Sequence, residues 1–230
     1  MTGFLDANRP PGFLPPDYAP RHQLFEAPRS NPLGWARRRR MDREARRDEA
    51  ARDRAVTRLA KLGAGWKVLD VAELGLAAKN TFLAIGPGGV FLVTVKPQGR
   101  SRVRLAGDVV QVDGRRLGYV AEARKLAEQA SKAMSRTARS TIPVTPVIAL
   151  AGNGMIDVHG LPKGCVVTSH RELDYILGAY GERIAPGTVS KLYSIARHPV
   201  TWAGQKSDQQ VEEYTWYPTG AATDKRPDRR

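Results

Sequence analysis

Lys96 closes an apolar run, Val90-Phe91-Leu92-Val93-Thr94-Val95-Lys96, and Thr94 stands two residues before it. Side chains alternate faces along an extended chain. Thr94 and Lys96 therefore share a face with Val90 and Leu92, while Phe91, Val93 and Val95 take the other. An ammonium ending an otherwise apolar strand is either a charge reaching water or a cation placed for chemistry. Beyond it, Arg100, Arg102 and Arg104 alternate. On one strand they share a face, and with Arg115, Arg116 and Lys79 they line a surface suited to phosphates. The run Arg37, Arg38, Arg39 and Arg40, continued by Arg43, Arg46 and Arg47, is a second basic element. Both sets also read as solvated faces of an Arg-rich chain.

Other chemistries have weaker claims. Gly86-Pro87-Gly88-Gly89 lacks the Gly-Lys-Ser/Thr ending of a phosphate loop and opens no helix, so it reads as a turn between strands. His22, His159, His170 and His198 show no metal-ligand spacing. His170 falls in a helix first turn and is expected at the surface. The single cysteine, Cys165, excludes an intramolecular disulfide, and its apolar neighbours suggest a buried inert thiol.

The elements that must position these residues follow from periodicity. Seven prolines between Pro10 and Pro32 make residues 1–35 an arm, expected to be disordered, whose spaced apolar residues could dock on a protein partner. Residues 36–62 read as one charged helix, with Asp42→Arg46 and Asp48→Arg52 at i,i+4. Only its last two turns, with Val56, Leu59 and Leu62, look docked. Strands are expected at 66–71, 80–85, 90–95, 100–105 and 109–112, with Asp113-Gly114 as a further turn. Val120, Ala123, Ala127, Ala130 and Met134 recur at helical spacing over 119–134. Strands at 145–150 and 165–168 follow, then a capping box at Ser169-His170-Arg171-Glu172 and a last helix over 186–198. Residues 203–230 read as a flexible tail. The alternation of helices and strands predicts an α/β domain with a mixed sheet flanked by helices.

The chain has 230 residues, 37 Lys+Arg against 23 Asp+Glu, and a net charge of +14. That excess favours polyanionic partners. Arginine supplies 27 of the basic residues, which is also what a GC-rich genome produces. No apolar stretch is long enough to span a bilayer and no signal pattern opens the chain, so a cytoplasmic protein with no membrane partner is expected.

Six separated segments carry a resemblance. They are residues 80–96, Gly65-Trp66-Lys67-Val68-Leu69 before them, and Gly107-Asp108 with Val112-Asp113-Gly114-Arg115-Arg116 after them. Val144-Thr145-Pro146-Val147-Ile148-Ala149-Leu150 and Ala196-Arg197-His198-Pro199-Val200-Thr201-Trp202 complete the set. Over residues 53–202 the chain resembles the nuclease-related domain (NERD) family. The resemblance implies a restriction-endonuclease-like fold, in which two carboxylates and a lysine hold Mg²⁺ and activate water on a phosphodiester. Thr81 and Phe82 stand where the family has an Asp-His pair, and Thr94 where it has an acid. Lys96 alone matches. For the Gly-Glu pair of the family's upstream helix the nearest candidate is Asp53, a poor match. A neutral threonine cannot supply the charge that holds Mg²⁺ against water.

The reading that follows is a nucleic-acid-binding protein, with DNA favoured over RNA, built on a catalytically degenerate nuclease-related domain. It needs no cofactor. Lys96 is a relic of catalysis, with Thr94 and Thr81 at lost carboxylate positions. Arg100, Arg102, Arg104, Arg115, Arg116, Arg37, Arg38, Arg39 and Arg40 carry the binding. One alternative is a Mg²⁺-dependent nuclease whose carboxylates have relocated, from Asp70, Glu73 or Asp108. Another is a scaffold protein without nucleic-acid binding.

Overall fold

Pro87 and Gly88 fold strand β2 (Thr81–Gly86) back onto β3 (Gly89–Gly99), with Thr81 opposite Thr94 and Gly86 opposite Gly89. Both strands are almost wholly buried. A hairpin covered on both faces needs helices on both sides, and the chain supplies them. On one face Leu83, Ile85, Val90 and Leu92 pack against Ala127, Ala130, Ala133 and Met134 of α2 (Tyr119–Ala138), and Val189 and Leu192 of α4 (Pro186–Arg197) join them. On the other face Phe82, Ala84, Phe91, Val93 and Val95 meet Ala51, Ala55 and Leu59 of α1 (Pro32–Leu59), and Leu173 and Leu177 of α3 (Leu173–Gly178).

The computed structural model describes residues 32–74 and 79–203. The proline-rich segment before Pro32 and the tail after Ala203 lie outside the described residues. The chain divides into two units, Met1–Asp42 and Arg43–Arg230.

The protein is mixed α/β, with two mixed sheets flanked by helices. The first sheet runs β1-β2-β3-β7-β9, adding β1 (Lys67–Asp70), β7 (Thr145–Gly152) and β9 (Val166–Ser169). Its first two pairings are antiparallel; β3, β7 and β9 are parallel. The second sheet runs β6-β5-β4-β8: β6 is Arg115–Leu117, β5 Val109–Val112, β4 Val103–Ala106 and β8 Ile156–Gly160. It covers the far end of the first sheet, where Val103, Leu105 and Val110 pack on Val120 and Ala123 of α2 and on Ile148 and Leu150 of β7. A short α5 (Pro199–Trp202) closes the described chain and buries Trp202, whose indole N–H donates to the Ala196 carbonyl at 2.7 Å.

Several expectations change. The helix begins at Pro32, a residue that suits a first helical turn. It docks through Ala51, Ala55 and Leu59, spaced by one turn each, while Val56 is 43% exposed. Alanine, with little side chain to bury, lets the helix approach the sheet closely. The expected strand over 100–105 starts only at Val103, because Gly99 has φ +58 and ends β3 in a turn. β6 and β8 were not expected at all. Each is a short, half-exposed edge strand with a weak apolar pattern. Among the described residues no helix is long and apolar enough to cross a membrane.

Candidate functional site

Lys96 lies on the same face of β3 as Thr94, opposite Phe91 and Val93, as the two-residue period requires. Its ammonium donates to Glu122 Oε2 at 2.7 Å and stands 4.5 Å over the Tyr119 ring. Both partners come from the first turn of α2, where a carboxylate is also favoured by the helix dipole. Thr81 and Thr94 are a cross-strand pair, 0% and 4% exposed. Thr81 Oγ1 donates to the Lys79 carbonyl at 3.2 Å, whereas Thr94 Oγ1 is buried with no hydrogen-bond partner among the described residues.

Two of the carboxylates considered for relocation, Asp70 and Asp108, lie elsewhere. Asp70 pairs with Arg52 and accepts from the Ala72 N–H at 2.9 Å. Through its register with Phe82 it belongs to the opposite face of the sheet. Asp108 is held by both guanidinium nitrogens of Arg124, at 2.7 and 2.8 Å, which lowers its pKa. Asp53 is exposed on α1. The side chain of Glu73 lies outside the described residues. The carboxylate that does reach Lys96 is Glu122, 26 residues away in sequence, and the sequence carries no local signal for that pairing.

This donor set does not fit a divalent metal. Mg²⁺ demands six oxygen ligands in near-octahedral array and is drawn by carboxylate charge. Around Lys96 stand two buried neutral hydroxyls and one carboxylate already neutralised by the lysine.

The arginines divide. Val103 and Leu105 are buried, so Arg104 projects from the outer face of the second sheet. Arg104 is in register with Gln111 and Asp157, and Gln111 with Arg116. Arg116, Gln111, Arg104 and Asp157 thus form one row across four strands, with the two arginines about 10 Å apart at Cα from two strand spacings. Arg102 joins this face by pairing with Asp157 at 2.7 Å. Arg115 is in register with inward-facing Val112 and so takes the opposite face from Arg116, against expectation; adjacent strand residues alternate. Arg100 also departs from the expected alternation. It sits in the turn after Gly99, beside an open cleft of about 670 Å³ that Arg47, Asp48, Gln98, Asp113 and Tyr119 help to line. Hydrogen bonds from Ser101 and from the Arg102 N–H lower the pKa of Asp113. Lys79 is exposed immediately before β2. In the first unit Arg37, Arg38, Arg39 and Arg40 are all exposed, and the Arg39 guanidinium lies 4.4 Å over the Trp35 ring.

No family model, curated protein or solved structure matches this chain.

Two remaining side chains complete the picture. Cys165 is buried beneath the second sheet, and burial pushes its thiol up to about 11, as expected of an inert cysteine. His170, expected at the surface, is 7% exposed. It opens a 3-10 turn (His170–Glu172) in which the Ser169 hydroxyl accepts from the Arg171 N–H, and its Nδ1 lies 3.3 Å from the Leu150 carbonyl. The turn ties β9 to β7, which draws the ring inward.

Proposed function

We propose that the protein binds nucleic acid through a catalytically degenerate nuclease-related domain of restriction-endonuclease-like fold. The observation that carries the binding is the exposed row Arg116–Gln111–Arg104 on the outer face of the second sheet. Arginine forks grip phosphate oxygens in a bidentate way, and an amide between them adds a neutral donor. A rigid sheet fixes the spacing of these groups. Contact with phosphates and shape gives affinity without base readout. Arg102, compensated by Asp157, is a weaker contributor, and Arg37, Arg38, Arg39 and Arg40 form a second basic element on the helix. The fold reading is supported by the hairpin that sets Thr81 against Thr94 with Lys96 on the same face.

The degenerate reading rests on the donor set. With two threonines beside Lys96 and the ammonium bound to Glu122, hydrolysis through a metal-bound water has no charged cradle. Plasmid DNA incubated with the full chain in Mg²⁺ or Mn²⁺ is expected to stay supercoiled. Nicking that rises with Mg²⁺ and disappears in the Lys96→Ala protein would restore the nuclease reading.

A further inference from the structure

β8 is the outer strand of the second sheet, and among the described residues it pairs with β4 alone. The Val103 N–H donates to the Met155 carbonyl at 2.8 Å. Alternate residues of a parallel strand turn their backbone groups towards the neighbour. The backbone of Asp157 therefore faces β4, and Ile156 and Val158 turn their N–H and C=O groups outward. An edge of this kind is a template for another strand, and proteins blunt it with lysine, proline or inward charge. Of the other edge strands, β1 carries Lys67 and β6 carries Arg115 and Arg116, while β9 is half-buried or buried throughout. β8 holds neither lysine nor proline, and its one acid, Asp157, is paired with Arg102. Val158 shares the inner face with Leu105 through their register, yet it is more than half exposed. Met155 and Leu161, on either side of the strand, are more than half exposed as well.

We propose that this edge pairs with β8 of a second copy of the chain, antiparallel and centred on Val158. The strand is self-complementary in that register. Val158 meets Val158, Ile156 meets Gly160, and Met155 meets Leu161, so every exposed apolar residue of the edge gains a neighbour without charge. Asp157 meets His159, an acid opposite a base. Both Arg102 nitrogens bond Asp157 at Oδ2, which leaves Oδ1 to accept from the imidazole. Because the centre falls on a residue, the two-fold axis stands perpendicular to the sheet and keeps both inner faces on one side. Two four-stranded sheets then become one, whose outer face carries the Arg116–Gln111–Arg104 row of each copy. Met155 to Leu161 is seven residues, few against the roughly 20–30 a side of a standard interface, so the dimer is reversible. The pairing rests on the edge alone and stands whether or not the outer face binds nucleic acid.

The test is sedimentation velocity of the full chain over a concentration series, without nucleic acid. The expected result is a concentration-dependent dimer. Its dissociation constant should rise about tenfold or more in Val158→Lys, which sets two ammonium groups against each other. It should also rise in His159→Asp, which sets carboxylate against carboxylate. Both positions are exposed, so neither change is expected to disturb the fold. Val158→Cys is expected to join two copies on mild oxidation, because opposed Cα atoms about 5.5 Å apart lie within disulfide reach. Val109→Cys, exposed on a strand with both edges paired, is not. Cys165 is buried and stays out of the reaction. A monomer at every concentration overturns the proposal and leaves the edge to another occupant. So does a dimer that is indifferent to Val158→Lys and His159→Asp and that Val158→Cys fails to lock.

Discussion

Lys96 ends an apolar run and Arg104 alternates with buried Val103 and Leu105, yet the fold treats these two strand cations oppositely. Lys96 stands under α2, neutralised by Glu122 and capped by the Tyr119 ring, next to two buried threonines. Arg104 stands in the open on a second sheet, in a row with Gln111 and Arg116. The first region is arranged to be packed and electrically quiet. The second is arranged to present charge. Position in a strand does not decide what a cation does; the layer laid over that strand does.

The sharpest contrast is in stability. Leu92, on the Thr94 face and 1% exposed, fills the core beneath α2. Leu92→Ala is expected to lose about 2–5 kcal/mol in urea unfolding, by lost transfer and an unfilled cavity. A loss under about 1 kcal/mol would mean the two layers are not tightly packed.

The pH dependence of stability is the next effect. Burial, above all, lowers the pKa of His170 below the usual histidine value, and the nearby arginines add to it. The unfolded chain therefore binds a proton that the native state refuses. The stabilisation is complete above about pH 6.5 and is lost as pH falls from there towards the folded pKa. Carboxylates such as Asp108, held low by Arg124, act only in more acidic solution. Unfolding of His170→Gln protein, measured between pH 7 and 5, is expected to show a flatter profile than wild type. Parallel profiles would mean that the ring titrates freely.

Thr94→Val probes the quiet region more finely. The hydroxyl is buried with no partner among the described residues, so replacing it by a methyl of similar shape is expected to be neutral or stabilising by up to about 1 kcal/mol. Clear destabilisation would reveal a polar partner for that oxygen. Smallest of all, Arg104→Ala with Arg116→Ala should change stability by no more than about 0.5 kcal/mol each, since both are exposed and away from the core.

Much of this contrast was legible in the sequence. The hairpin was, because Gly-Pro-Gly-Gly between two apolar runs marks both turn and register, and the shared face of Thr94 and Lys96 follows from the period alone. The α2 face was, from Val120 through Met134. What was not legible depends on residues far apart in sequence. Glu122 meets Lys96 only because α2 packs back across β3. Arg115 and Arg116 part to opposite faces because an unexpected strand, β6, forms there. His170 looks like a surface helix cap until β7 places the Leu150 carbonyl beside it. Arg100, Arg102 and Arg104 looked continuous because the left-handed turn at Gly99 leaves no mark beyond a glycine.

The central claim is that the open cation row binds phosphates while the covered one does not. Fluorescence anisotropy of a labelled duplex at two salt concentrations tests it directly. The account predicts that Arg104→Ala with Arg116→Ala weakens binding and lowers the slope of log K against log salt by up to about two units, at about 0.9 per phosphate contact, while Lys96→Ala leaves both unchanged. Equal affinity and slope in the arginine pair, with binding lost instead in Lys96→Ala, would contradict it.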